Sequence, residues 1–212
     1  MKRLEITIYA LVILIMNLPV LAGGYAESMV LLPEKVLAGQ WYRILAHPFV
    51  HLSWYHLLLD GAAFFILYTQ LAERRSLNRT LYVAGAGLGS MLAVAAILPR
   101  LAVAGYCGLS GIGHGLMAIC AFELIGDADK TLRRAGMISL GLLTAKCLFE
   151  AATGRMFLQF LHPDLLGTPI AISHIGGLLG AGIVYGLLNR MKLKQAAAEC
   201  VRLFSAKTQH AM

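Results

Sequence analysis

A serine held between glycines at the start of an apolar segment is the first feature of this sequence that could do chemistry. Ser110 lies in the run Y-C-G-L-S-G-I-G-H-G-L-M-A at residues 106–118. Gly108 and Gly111 let a substrate approach the backbone closely, and His114 follows Ser110 by one helical turn on the same face. The free N–H groups at the start of a helix can stabilise a developing oxyanion. The run predicts a nucleophilic serine, with a serine that only packs against another helix as the structural alternative.

His174 can supply the base that a serine nucleophile needs. It lies near the start of a second apolar segment, and His56 lies near the start of a third. These segments are predicted to cross a membrane in the same direction, so the rise of 1.5 Å per residue puts Ser110, His56 and His174 within about 6 Å of depth of one another. That arrangement suits acyl transfer, in which the serine attacks and His174 carries its proton to the leaving amine.

Three of the charged residues inside predicted membrane segments lie where charge is costly and marks a functional candidate: Asp60, Lys146 and Glu150. Asp60 follows His56 by one turn. Lys146 and Glu150 are spaced i, i+4 on one face of another segment. The pair either neutralises itself or binds neighbouring helices, which is the structural interpretation, or it contacts substrate.

The composition requires that these residues be positioned by membrane helices. The chain has 212 residues, of which 58% are hydrophobic and 14% charged, with a mean hydropathy of +0.71. It is predicted to be an all-α polytopic membrane protein with a single domain over residues 1–212. The six predicted transmembrane segments are residues 6–21, 54–71, 81–98, 109–125, 136–152 and 170–188. Residues 24–53 form an external, membrane-associated loop, and residues 189–212 form a cytoplasmic tail.

The net charge of +7 is explained by an excess of Lys and Arg on the cytoplasmic side, which sets the orientation of a membrane protein. With the N-terminus inside, most basic residues lie on the cytoplasmic side: Lys2, Arg3, Arg74, Arg75, Arg79, Lys130, Arg133, Arg134, Arg190, Lys192, Lys194, Arg202 and Lys207. Those outside are Lys35, Arg43, Arg100 and Arg155. Both termini are therefore predicted to be cytoplasmic. Lipid headgroups are sufficient partners for this charge, and no nucleic acid is implied.

Residues 1–24 have some features of a secretory signal peptide, with Lys2 and Arg3 before an apolar core and small residues after it. The core is long for that role and Pro19 lies late within it, so a retained first helix is favoured over a cleaved signal.

No metal or cofactor site is predicted. The cysteines show no metal-ligand spacing and occur at different depths, which favours structural roles: Cys107, Cys120, Cys147 and Cys200. His47 and His51 are predicted to lie at the membrane interface beside Trp54 and Tyr55. They precede His56 without a cysteine or a clear acidic ligand set.

Several motifs in combination resemble the rhomboid intramembrane serine proteases. These are G-L-S-G at 108–111, S-H-I-G-G-L-L-G at 173–180, and W-Y-R at 41–43 followed by H-P-F-V-H-L-S-W-Y-H at 47–56. The resemblance implies a six-helix bundle with a dyad of Ser110 and His174. It also implies that His56 helps to form the oxyanion hole and that the loop from Trp41 to Arg43 lies in the outer leaflet.

Two positions depart from the family pattern. Asp60 stands where the family commonly has an asparagine, and an ionised carboxylate would repel an oxyanion unless it is protonated or orients a neighbour. His114 stands where the family often has an aromatic ring stacked on the catalytic histidine, so its imidazole either stacks there or competes as a base.

The short chain, the G-L-S-G-I-G-H-G run and the pair of His56 and Asp60 are most similar to the rhombosortase branch. That resemblance implies a bacterial inner-membrane enzyme, active near the periplasmic side, that cleaves secreted proteins bearing a C-terminal tag of Gly-Gly, a membrane helix and a basic end. The alternatives are a general rhomboid protease with other single-pass substrates, an inactive rhomboid-like chaperone, and a small transporter suggested by the buried charges. A transporter would be expected to show inverted repeats, which the sequence lacks.

Overall fold

The computed structural model describes residues 2–96, 105–157 and 170–209, with side chains up to Arg190. Outside an isolated antiparallel bridge between Leu31 and Tyr106, these residues form helices and turns. The helices are α1 (Lys2–Met16), α2 (Leu18–Leu21), α3 (Pro33–Leu37), α4 (Tyr42–Ala46), α5 (Trp54–Gln70), α6 (Ser76–Ala95), α7 (Ser110–Ile125), α8 (Lys130–Thr153) and α9 (Ile172–Gln209). Single 3-10 turns cover Glu27–Met29 and His47–Phe49.

The chain has helices suited to a membrane. Within the described ranges, α8 and the segment Ile172–Arg190 of α9 are long and apolar enough to cross a bilayer, and Tyr42–Phe49 with Trp54–Gln70 would add a third span across an 89° bend. The all-helical prediction is confirmed, whereas six spans stay a prediction. Residues 97–98 of the third predicted segment and 210–212 of the predicted tail lie outside the described residues, as does the side chain of Cys200.

The outer faces of the long helices are apolar. Large side chains that no other helix covers include Ile138 and Leu142 on α8 and Ile183 and Leu187 on α9, each 63% or more exposed. A helix surrounded by lipid has no need of a polar outer face. The main hydrophobic core lies where α5, α6, α7 and α9 meet, and the buried apolar residues of α8 pack against α7 in a separate cluster.

Glycines bring α6, α7 and α9 into close contact. Gly85 and Gly89 of α6 face Gly176 and Gly180 of α9, so that a β-carbon added at these positions would meet backbone atoms of the opposite helix. Gly177 meets the backbone of Gly111 on α7 in the same way. Small residues spaced by one turn allow such approach between membrane helices. The contact joins the start of α7 to the start of α9.

We expect Gly177→Ala to lower the free energy of unfolding by about 1–3 kcal/mol. The added carbon would overlap the carbonyl group of Gly111, which as backbone cannot rotate away. Gly186→Ala on the same helix is the matched control, because its added carbon has nothing within 4 Å. Unfolding in detergent micelles measures both variants. Equal stabilities would contradict the close contact between α7 and α9.

The ends of α8 are set by local sequence. The carboxylate of Asp129 accepts hydrogen bonds from the backbone N–H groups of Thr131 at 2.6 Å and Leu132 at 3.1 Å, which caps the helix. The amides of Leu132 and Thr131 hold the pKa of Asp129 below its usual range. Gly154, with φ of +67°, ends the helix in a left-handed conformation that favours glycine. These signals define the helix that carries Lys146 and Glu150.

The N-terminal helix is tied to the bundle by a buried ion pair. The guanidinium of Arg79 on α6 donates to both carboxylate oxygens of Glu5, at 2.6 and 2.8 Å. The hydroxyl of Tyr68 on α5 donates to the same carboxylate at 2.5 Å. Breaking such a pair by removing one partner leaves an uncompensated charge. The contact therefore connects α1 to α5 and α6.

The side chains of His47 and His51, before α5, are buried inside the protein, which corrects the prediction that they lie at the membrane interface. His47 and His51 are 2% and 0% exposed. Asn17 explains the burial of His51, because its side chain donates to the carbonyl of Phe49 at 2.7 Å and accepts from the backbone N–H of His51 at 2.8 Å. His47 is held by a 3.1 Å hydrogen bond between its Nδ1 and the carbonyl of Arg43.

Candidate active site

Ser110 is the first residue of α7 and is half-buried. Gly108, two residues earlier, has φ of +102°, a conformation that favours glycine and turns the chain into the helix. The carbonyl oxygen of Ser110 accepts a 2.7 Å hydrogen bond from Nδ1 of His114. Ser110 therefore stands where the sequence predicted it, at the mouth of a helix and bonded to the histidine one turn further on.

His174 lies in the first turn of α9 and is 3% exposed. Its ring stacks on the ring of His114, with centroids 3.8 Å apart and an interplanar angle of 9°. The same His114 is bonded to Ser110, so one imidazole contacts both members of the predicted dyad. In the part of the chain that the structure describes, the Ser110 hydroxyl has no hydrogen bond to His174. Such bonds are often long before substrate binds.

Glu150 contacts His174 directly. Its Oε2 atom lies 2.7 Å from Nδ1 of His174, and the carboxylate is fully buried. An ionised carboxylate only accepts hydrogen bonds, so Nδ1 carries the proton and the neutral imidazole keeps a lone pair on Nε2. Nε2 is therefore the atom of His174 that can accept a proton.

Lys146 links Glu150 to His114. Its ammonium donates to both oxygens of Glu150 at 2.8 Å and approaches Nε2 of His114 at 2.8 Å. Because Nδ1 of His114 donates to the carbonyl of Ser110, its Nε2 is free to accept this bond. His114 is thus already engaged at both nitrogens. This bonding favours the stacking interpretation of His114 over a role as a competing base.

His56 lies in the first turn of α5 beside the glycine that precedes the serine. A β-carbon added at Gly108 would lie 2.7 Å from Nε2 of His56 and 3.0 Å from Oδ2 of Asp60. The backbone N–H of Leu52 donates to Nδ1 of His56 at 3.3 Å, so the neutral ring carries its proton on Nε2. His56 can therefore donate a hydrogen bond close to Ser110.

Asp60 is shared between two histidines. Its Oδ2 atom lies 3.3 Å from Nε2 of His56 and 3.7 Å from Nε2 of His51. Among the described residues, Oδ2 of Asp60 and Nε2 of His51 are buried without a hydrogen-bond partner. A buried polar atom left unpaired costs about 1–3 kcal/mol. Asp60 therefore lies near both imidazoles without a hydrogen bond to Oδ2 that fixes either ring, and its protonation and its role stay predictions.

Two clusters bring ligand-type atoms together, with all separations within 4.8 Å: His51, His56 and Asp60, and His114, Glu150 and His174. A metal would need a lone pair on Nε2 of His56, but that atom carries the proton. In the second cluster Nε2 of His114 accepts from Lys146 instead. Both donor sets fit proton-transfer and hydrogen-bonding groups better than metal ligands.

The remaining predicted residues lie apart from this cluster or serve the fold. Trp41 is 62% exposed at the start of α4. Arg43 is buried and donates to the carbonyl oxygens of Glu27 at 2.9 Å and Val30 at 2.6 Å, which holds the loop together. A β-carbon at Gly111 would meet Ser90 of α6, so this glycine lies in the helix interface.

The contact between Glu150 and His174 was not predicted from the sequence. The i, i+4 spacing of Lys146 and Glu150 was the available signal, but it indicated only that the two share a face. Asn17, whose side-chain oxygen accepts from the backbone N–H of His51, belongs to none of the motifs that were recognised. The buried hydrogen bond between Ser90 and Tyr106, at 2.5 Å, was also missed and joins α6 to the segment before Ser110.

Most of the chain matches the model of a known protein family. A family model described as the Rhomboid domain matches residues 38–192. The match includes Ser110, His174, His56 and Glu150. No curated protein and no solved structure matches the chain.

Proposed function

Since the chain belongs to the rhomboid family of intramembrane serine proteases, we propose that it is a serine endopeptidase with Ser110 as nucleophile and His174 as general base. The observation that carries this proposal is the stack of His174 on His114, whose Nδ1 bonds the carbonyl of Ser110. The side chain of His114 therefore contacts both the candidate base and the candidate nucleophile.

The chemistry follows from the groups present. The Ser110 hydroxyl attacks the scissile carbonyl while Nε2 of His174 takes its proton. The tetrahedral intermediate collapses when His174 returns that proton to the leaving amine, which breaks the C–N bond and leaves an acyl-enzyme. Water then attacks the ester with the same histidine as base, and the peptide acid is released. No cofactor is required.

The oxyanion would be held by backbone N–H groups at the start of α7, including that of Gly111, and by Nε2–H of His56. The bond from Leu52 to Nδ1 supports this role, because it leaves the proton on Nε2. Asp60 lies 3.3 Å from the same Nε2 atom, so it would have to be protonated to leave that hydrogen for the oxyanion.

We expect His56→Ala to lower the cleavage rate about 10²- to 10³-fold, the usual loss when one oxyanion donor is removed. Substrate binding should change little, because the bond strengthens only as negative charge develops. Cleavage kinetics in proteoliposomes measure both quantities. Leu58→Ala is the control, since it shortens an exposed side chain on the same helix. A loss in substrate affinity without a loss in turnover would contradict the oxyanion role.

The proposal extends to topology and substrate. We place six spans in a bacterial inner membrane, with both termini cytoplasmic and the site near the periplasmic face, as the distribution of Lys and Arg supports. The substrates would be membrane proteins with a C-terminal transmembrane segment. The resemblance to the rhombosortase branch favours a tag of Gly-Gly, a membrane helix and a basic end.

A pair of co-expressed reporters tests the substrate class. One carries Gly-Gly before its C-terminal membrane helix, and the other carries Leu-Leu at the same position. Cleavage of the first alone supports the rhombosortase assignment. Cleavage of both with similar efficiency indicates a general rhomboid protease, and cleavage of neither by folded protein supports an inactive rhomboid-like chaperone.

A further inference from the structure

We propose that Glu150 is a positioning residue that converts the dyad into a Ser110–His174–Glu150 triad, with Lys146 holding the carboxylate in place. This inference rests on the proposed function, because it concerns how His174 is prepared to act as the base. It assigns a role to a pair that the sequence left open between structure and substrate contact.

The hydrogen bond to Glu150 selects the tautomer of His174. The 2.7 Å contact between Oε2 of Glu150 and Nδ1 of His174 is in the range of charge-assisted hydrogen bonds. A carboxylate cannot donate a proton, so it selects the imidazole with hydrogen on Nδ1 and a lone pair on Nε2. That is the form in which a serine proton can be accepted, and the imidazolium formed afterwards is stabilised by the adjacent negative charge.

The carboxylate of Glu150 is fixed in position. Glu150 is fully buried, and the two oxygens accept from His174, Lys146 and the backbone N–H of Phe157, the last at 2.9 Å. A carboxylate with donors on both oxygens has little freedom to rotate. A group that fixes the ring of a catalytic base needs this rigidity.

Lys146 and His114 connect the candidate base to the candidate nucleophile through hydrogen bonds. Its ammonium contacts Glu150 and Nε2 of His114, while Nδ1 of His114 bonds the carbonyl of Ser110. The connected groups come from α7, α8 and α9. Simple neutralisation of Glu150 by Lys146 would need neither histidine, so the two imidazole contacts distinguish a positioning role from a structural ion pair.

The test uses labelling of the full-length protein by a fluorophosphonate, which reacts with an activated serine without a peptide substrate. We expect Glu150→Gln to slow labelling about 10³- to 10⁴-fold, as loss of the carboxylate does in Ser-His-Asp enzymes. The midpoint of the pH profile of labelling should also move to lower pH, because the imidazolium loses the charge that stabilises it. A merely structural residue would not shift this midpoint.

Lys146→Met/Glu150→Gln is the second variant, because it removes both charges of the pair and leaves no unpaired ammonium. Glu34→Gln is the matched control, since Glu34 forms an exposed pair with Lys35. The double variant should remain folded and label as slowly as Glu150→Gln, whereas Glu34→Gln should label like wild type. Recovery of wild-type labelling in the double variant would overturn the positioning role and assign the pair to stability.

The positioning role of Glu150 and the protease function can be contradicted by different results. Wild-type protein that labels at Ser110, together with Glu150→Gln of unchanged rate and pH profile, overturns the positioning role alone. Wild-type protein that is not labelled contradicts the proposed function, and the role of Glu150 falls with it.

Discussion

Ser110→Ala is expected to abolish cleavage while leaving the protein folded. The alanine lacks the oxygen that would form the acyl-enzyme, so the cleavage rate should fall by about 10⁴-fold or more. Any residual rate would come from the oxyanion hole and substrate binding. Stability should change little, because Ser110 is half-buried and its structural bond, from His114, uses the backbone carbonyl. Reporter cleavage in proteoliposomes and thermal unfolding measure the two effects.

Ser139→Ala provides the control for this substitution, because Ser139 is an exposed serine on α8, about two helical turns before Lys146. It should cleave the reporter at the wild-type rate. Turnover by Ser110→Ala that exceeds a hundredth of wild type would remove Ser110 from the mechanism. Loss of folding in that variant would assign the serine to packing, which was the structural alternative.

His174→Ala is expected to lower cleavage to the same level. It removes the base, and it also removes the stack on His114 and the partner of Glu150, so some loss of stability accompanies it. His174→Asn separates these effects, because its side-chain amide can still donate to Glu150 but cannot take a proton from serine. Both variants should be inactive, with His174→Asn the more stable.

The double variant Ser110→Ala/His174→Ala tests whether the two residues act as one unit. Members of a catalytic unit are non-additive, so the double variant should be no slower than either single variant. Initial rates of reporter cleavage at matched protein concentration make the comparison. Multiplicative losses would indicate that Ser110 and His174 affect the rate independently, which contradicts proton transfer between them.

The sequence predicted which residues of the candidate site lie near the starts of helices. The positions of Ser110, His56 and His174 near helix starts could be read from apolar segments and glycine motifs, and the all-helical fold followed from composition. The parts that depend on helix rotation could not be read. The i, i+4 spacing placed Lys146 and Glu150 on one face, but which neighbours that face meets depends on the packing of α8 against α7 and α9.

Long-range pairs in the loop before α5 were hidden for a similar reason. His51 lies next to aromatic residues that suggest an interface, yet the side chain that buries it is Asn17, 34 positions earlier. The apolar segment around Asn17 gave no sign that its amide would be paired. Because Asn17 bonds His51, the histidine is buried in the protein and is not exposed at the membrane interface.

The most direct test of the account is the site of phosphonylation. Purified wild-type protein is treated with a fluorophosphonate, digested, and analysed by tandem mass spectrometry alongside Ser110→Ala. The account predicts a single major adduct on Ser110 and none in the variant. An adduct on another serine, or equal labelling of the variant, would contradict the assignment of Ser110 as the nucleophile.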